Sequence, residues 1–209
     1  MNSTPSRIGL FGGAFDPPHD AHLALARAAI DELGLDVLHV VPTGDAWHKS
    51  RPLSPAADRL AMCRLAFASV PGTLVDDREL QRAGPTYTID TLSELQAQHP
   101  TAELWLLIGA DQAAFFRHWR RAPDIVALAF VAVATRAGLA PDEPGFDPRD
   151  PLPGLDLGAA RGVRVLRLPA LPHSATEVRA RAARGLAIGH LVPSAVAGYI
   201  AEHHLYTTT

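Results

Sequence analysis

Gly9-Leu10-Phe11-Gly12-Gly13-Ala14-Phe15-Asp16-Pro17-Pro18-His19-Asp20-Ala21-His22 spells out a change of local structure in its residue types. The apolar run from Ile8 to Phe11 has the length and composition of a short buried strand. Gly12-Gly13 ends it, and without Cβ atoms these positions let a ligand approach the backbone closely. Pro17-Pro18 cannot remain inside a sheet, so the chain turns outward there. Ala21, Leu25, Ala28, Ala29 and Leu33 then recur at helical spacing, and Gly34 is placed as a stop. The stretch reads as strand, glycine loop, helix, with His19 and His22 on one face of the first turn. That face lies beside free N–H groups and the positive dipole end, a place to hold a phosphate chain. Neither G-x-G-x-x-G nor G-x-x-x-x-G-K-[ST] is present, and taken alone the pair is explained as well by two surface histidines. No Cys, His or Glu follows at ligand spacing, so no metal held by the protein is expected.

The surrounding chain has 209 residues, read as one α/β domain over 1–209 and large enough to bury a core. Hydrophobic residues make up 47% against 20% charged, which excludes a disordered chain. A net charge of −3 leaves no broad basic surface, so no nucleic-acid partner is expected and any anion site is local. The single cysteine, Cys63, cannot form an internal disulfide and suits a reducing cytoplasm. Met1 to Arg7 lacks a signal-peptide pattern and no apolar run nears membrane-spanning length, so no membrane partner is expected. A homo-oligomer is compatible with this composition.

Downstream, Val37 to Val41 reads as a second buried strand ended by Pro42, with His39 a satisfied core or edge histidine. Residues 43 to 54 form a polar loop. Ser54-Pro55 opens a helix in cap-then-proline order, with Leu60, Ala61, Leu65 and Ala68 turned inward. A short strand near Leu74-Val75 precedes Asp77-Arg78-Glu79-Leu80-Gln81-Arg82-Ala83-Gly84-Pro85-Thr86-Tyr87-Thr88-Ile89-Asp90-Thr91-Leu92. Its end starts a helix with Ile89, Leu92 and Leu95 apolar, and Thr86 or Thr88 is the natural cap. Leu104 to Ile108 is the most hydrophobic strand and runs into Gly109-Ala110-Asp111. An Asp there either reaches ribose hydroxyls or caps the next helix. Trp119 is by default a core residue. Leu128 to Ala134 is a further strand ending at Thr135-Arg136, and residues 138 to 162 form a long surface excursion. The sheet resumes with Val163, Val165 and Leu168. Ser174 and Glu177 then form a capping-box pattern, and Arg179, one turn in, can fork onto phosphate oxygens. Strands alternating with helices give a doubly wound parallel α/β sheet, Rossmann-like, with its cleft at the carboxyl ends of the strands.

Gly12 to His22 resembles the G-G-[TS]-F-D-P-x-H-x-G-H signature of the nucleotidylyltransferase superfamily, with Ala14 for Thr or Ser and Ala21 for Gly. His173 to Arg179 is similar to that superfamily's I-S-[SA]-T-x-[IV]-R, with His173 for Ile. Glu79 to Leu92 resembles E-[LI]-x-R-x-G-x-[ST]-Y-T-x-[DQ]-T-L of the nicotinate-nucleotide adenylyltransferases almost position for position. Gly109-Ala110-Asp111 followed by Trp119, and Leu191 to Ile200, match the same family's patterns, so the resemblance covers essentially the whole chain.

The resemblance implies the nucleotidylyltransferase fold and adenylyl transfer from ATP to nicotinate mononucleotide, with pyrophosphate released. It implies His19, His22 and Arg179 as catalytic, the histidines on the triphosphate and Arg179 on the departing pyrophosphate. It places Gly12, Gly13, Ala14, Phe15, Gly109, Asp111, Ser174 and Thr176 around ATP. His48, Lys49, Tyr87, Thr88, Trp119 and Arg136 fall around the mononucleotide, and Mg²⁺ arrives with ATP. Two alternatives stand beside it. Phosphopantetheine adenylyltransferase shares the first motif but is usually shorter and lacks the Tyr87-Thr88 and Gly109-to-Trp119 elements. The other is a non-catalytic nucleotide-binding module on the same fold.

Overall fold

β1 (Arg7–Gly13) is apolar on both faces from Ile8 to Phe11, and a strand of that kind is stable only where helices cover both faces of its sheet. The structure, a computed structural model, describes residues 5–44, 52–136, 147–168 and 173–207. Within them β1 pairs with β2 (Val37–Pro42) on one edge and β4 (Glu103–Gly109) on the other, both parallel. β3 (Thr73–Val75) lies outside β2, while β5 (Phe130–Arg136) and β6 (Val163–Leu168) extend the sheet beyond β4. The order is β3-β2-β1-β4-β5-β6, and every pairing among the described residues is parallel. This is the doubly wound Rossmann-like arrangement, with its reversal between β1 and β4. Gly9 is needed at the centre, because a Cβ there would lie 2.6 Å from Leu38 and 2.7 Å from Leu35.

Helices cover both faces. α1 (Asp20–Leu33), α2 (Ala56–Phe67), α7 (Ala175–Ala183) and α8 (Ser194–Glu202) bury Leu25, Met62, Phe67, Val178 and Ile200 in one core. α4 (Thr88–Gln98), α5 (Ala110–Ala113) and α6 (Ala122–Leu128) close the other with Leu92, Ala113 and Ile125. The short α3 (Arg78–Gln81) sits between β3 and α4. Gly34 stops α1 in the left-handed conformation at φ 62°, as its placement predicts. His39 is satisfied by the Asp76 carboxylate at 2.8 Å.

Several local expectations are corrected. α2 turns Arg59, Met62, Cys63, Ala66 and Phe67 inward, while Leu65 is 38% exposed and Ala68 lies on the surface. Phe67 and Met62 bring more apolar volume to the core than the predicted face, and Arg59 is buried with them because backbone carbonyls receive its guanidinium. Tyr87, not Thr86 or Thr88, takes the cap position of α4. β5 begins at Phe130, since Leu128 ends α6. The described part of the excursion lies on the surface as expected, except that Leu152 is only 1% exposed and anchors it in the second core.

Candidate active site

The carboxyl ends of β1 and β4 flank the reversal in strand order. A Cβ added at Gly12 or Gly109 would meet nothing within 4 Å, so both strand ends face open space. Gly13 differs: Phe15 folds back beneath it, with ring atoms 3.1 Å from where a Cβ would stand. Phe15 holds a left-handed φ of 45° and packs its ring edge-on against Phe11 and Phe67. The turn is thereby fixed from below by a buried aromatic, leaving its backbone on the cleft side.

His19 takes the cap position of α1 and is 7% exposed; His22 is half-buried, and their rings stack with centroids 3.8 Å apart. They are not surface histidines. The backbone N–H of His19 donates to His22 Nδ1 at 3.1 Å. Nδ1 is therefore an acceptor, and the neutral ring carries its proton on Nε2. Burial, and then the neighbouring His19, hold the His22 pKa well below its ordinary value. The site presents a neutral N–H donor here rather than a cation.

Asp16 lies deep in the loop at 1% exposure. Its carboxylate accepts the Ser54 N–H at 3.2 Å and the Tyr206 hydroxyl at 2.7 Å. Its carbonyl accepts Arg179 Nη1 at 2.8 Å, while Arg179 Nη2 donates to Thr176 Oγ1 at 3.1 Å. Ser174 caps α7 by accepting the Glu177 N–H at 3.1 Å. Arg59 donates from Nη1 to the Ala14 carbonyl at 3.0 Å. Two motifs more than 150 residues apart are thus joined directly, since the Asp16 and Arg179 contact spans 163 positions.

A second group gathers beyond β2. The buried Glu79 carboxylate accepts the Thr91 hydroxyl at 2.8 Å and is also bonded by Thr86 and Thr43. Burial raises its pKa against these hydroxyls and Arg82. Thr86 leads into Tyr87 and Thr88 at the start of α4. The Arg120 guanidinium lies 4.6 Å over the Tyr87 ring, and Trp119 packs 5.0 Å from Phe116. Tyr87 and Trp119 border the same core, while Asp111 is exposed in α5 just beyond Gly109.

The structure therefore brings together Gly12, Gly13, Ala14, Phe15, His19, His22, Ser174, Thr176 and Arg179 around one loop, with Gly109 and Asp111 at the neighbouring strand end. Tyr87, Thr88 and Trp119 belong to the second group. His48 and Lys49 lie outside the described residues; the Arg136 backbone pairs with Leu168 at the end of β5, and its side chain lies outside them too. Sequence reasoning missed the roles of Asp16, Arg59, Glu79 and Tyr206. Asp16 and Glu79, with the Glu79 partners Thr86 and Thr91, stood within quoted motifs, whereas a buried arginine on an apolar helix face carries no periodic signal.

A family profile described as cytidylyltransferase-like matches residues 10–181. A probable nicotinate-nucleotide adenylyltransferase of Albidiferax ferrireducens is 52% identical over 202 residues, covering 97% of this chain and 98% of that protein. Another, from Herpetosiphon aurantiacus, is 42% identical with 96% and 98% covered. The chain belongs to the nicotinate-nucleotide adenylyltransferase family. The fold agrees: Plasmodium falciparum nicotinic acid mononucleotide adenylyltransferase complexed with NaAD matches with TM-score 0.77 at 19% identity, over 96% of this chain and 97% of that one. A putative nicotinate-nucleotide adenylyltransferase of Vibrio parahaemolyticus matches with TM-score 0.68 at 18% identity, over 98% and 97%. As a member of the nicotinate-nucleotide adenylyltransferase family, this chain has Ala21 in the first turn of α1 and His173 immediately before the α7 cap. His173 Nδ1 is buried and meets no hydrogen-bond partner among the described residues.

Proposed function

We infer that the protein transfers the adenylyl group of ATP to nicotinate mononucleotide, forming nicotinate adenine dinucleotide and pyrophosphate in NAD biosynthesis. The observation that carries this is the 52% identity to a probable nicotinate-nucleotide adenylyltransferase over 97% of the chain. The geometry supports the following assignment of roles. A phosphate oxygen of the mononucleotide attacks the α-phosphorus of ATP, and the bond to the β-phosphate oxygen breaks with its electrons leaving on pyrophosphate. No side chain becomes covalently modified; catalysis is positioning and charge stabilisation. The Gly12-to-Phe15 backbone and the start of α1 receive the triphosphate, with His19 and His22 beside it and His22 donating from Nε2. Arg179, rested on the Asp16 carbonyl and the Thr176 hydroxyl next to the Ser174 cap, meets the leaving pyrophosphate. Gly109 and Asp111 face the adenosine ribose. Mg²⁺ would enter as part of the substrate, held by the phosphate oxygens of ATP.

The second group suits the mononucleotide. The first N–H groups of α4 have no partner within the helix, and a carboxylate, which only accepts, is matched to such donors and to the dipole. Trp119 offers its face to the pyridine ring, with Tyr87 and Thr88 at the carboxylate. His48, Lys49 and Arg136 are assigned to the mononucleotide phosphate. An amide would aim its NH₂ at a donor and leave a bond unmade. Pyrophosphate release should therefore be seen with ATP and nicotinate mononucleotide, and kcat/KM for nicotinamide mononucleotide should be lower by about two orders of magnitude. Parity between the two would overturn the pocket assignment alone. Silence with both would overturn the transfer reaction, and release with phosphopantetheine instead would establish the alternative enzyme.

A further inference from the structure

After α8 the backbone is bent at a cost. His204 and Tyr206 have φ of 50° and 65°, in the left-handed region that L side chains rarely adopt. Such residues persist only where their surroundings over-determine them. The bend returns Tyr206 across the molecule, so that its hydroxyl reaches Asp16 Oδ1 at 2.7 Å from 190 positions away. Ser54 joins the same cluster, bonding the Tyr206 hydroxyl and donating its N–H to Asp16 Oδ2. The Asp16 carboxylate is thus held by two distant segments, while its carbonyl carries Arg179 Nη1 at 2.8 Å.

Ring packing alone does not explain this. The Tyr206 ring borders the first core, but packing needs neither the hydroxyl nor two left-handed residues. Tyr199 on α8 provides the comparison: its hydroxyl donates to Asp58 Oδ1 at 2.9 Å, a tie to α2 rather than to the phosphate loop. A carboxylate buried as deeply as Asp16 depends on its donors, and losing one makes it reorient together with the backbone it belongs to.

We propose that Tyr206 is a positioning residue for adenylyl transfer: by holding the Asp16 carboxylate, its hydroxyl fixes the carbonyl on which Arg179 rests. It thereby sets where Arg179 meets the leaving pyrophosphate. This rests on the function inferred above. Small displacements of a group that stabilises transition-state charge act on turnover more than on substrate binding.

The test is a kinetic cycle on the full chain with Tyr206→Phe, Arg179→Ala and their combination, with Tyr199→Phe as control. Tyr206→Phe should lower kcat about tenfold or more while KM for nicotinate mononucleotide stays within about twofold of the parent. Tyr199→Phe should keep the parent kcat. The double variant should lose no more than Arg179→Ala alone, because the hydroxyl acts through that arginine. Asp16→Asn approaches the contact from the other side and carries the test if Tyr206→Phe fails to fold; it must show the same loss of kcat and the same non-additivity. A parent enzyme that releases pyrophosphate beside a Tyr206→Phe variant of unchanged kcat, or fully additive losses, overturns this inference alone. A parent that releases none overturns the functional reading beneath it.

Discussion

His22 is held neutral by its own helix. Its Nδ1 receives the His19 N–H, its ring is stacked on His19, and Phe15 meets it edge-on at 5.0 Å. Arg179 is a permanent cation, so in the proposed reaction the two residues would serve the triphosphate differently: one would lend a directed hydrogen bond, the other a charge. His22→Ala should lower kcat/KM by roughly two orders of magnitude. Steady-state assays check this, and near-normal turnover would return the pair to a packing role. The fold should survive with a lower melting temperature, because the imidazole also fills space between Phe11 and Phe15. That the histidines share a helix face was legible from their spacing. That they stack, with His19 buried and His22 half-buried, was not, since it depends on Phe15 folding beneath the loop.

Among elements, the exit of β2 and the short α3 are fitted tightly together. A Cβ on Gly44 would collide with the Glu79 carbonyl and lie 3.0 Å from the Thr86 methyl. Gly44→Ala should push the two apart and separate Thr43 from the carboxylate that Thr86 and Thr91 share. The expected cost is about 1–3 kcal/mol of stability, as for other overpacked sites. KM for nicotinate mononucleotide should rise severalfold while KM for ATP stays near the parent value. Melting curves and two-substrate kinetics measure both, and unchanged values would place this junction outside the mononucleotide pocket. The sheet strands and the long helices were legible because their apolar runs and periods are strong. α3 was not, because four residues are too few to show a period. The inward face of α2 was misread because counting apolar positions gives no weight to Arg59, which is buried by its bonds to the Ser54 and Ala14 carbonyls.

For the whole molecule, His22 and Asp76 act on the acid side of the stability curve in different pH windows. His22 titrates below its ordinary 6.5 in the folded state, so the unfolded chain binds its proton first. Stability is full above that value and falls as the pH drops from there towards the folded pKa. At Asp76, burial alone would raise the pKa, but bonds from His39 and Arg78 override it and hold the carboxyl far below its ordinary 3.8. Its contribution is present above that value and is lost only on further acidification. Melting temperature measured from pH 7 downward should therefore fall first near 6.5 in the parent and less in His22→Gln, with both falling again below about 4. Identical slopes in the first window would refute the His22 assignment. The parallel, doubly wound class followed from the alternation of strands and helices, whereas the strand order and the ties to Asp16 were illegible because they join positions with no shared period. Those ties also impose an order in time. The loop between β1 and α1 is braced by Arg179, by Tyr206 and by the Leu191 carbonyl that accepts the Asp20 N–H. β1 in turn must await β4, which pairs Arg7 with Glu103. The glycine loop therefore closes only through contacts of long sequence separation, so its geometry should form late in folding, together with the packing of α7 and α8, rather than as a local unit.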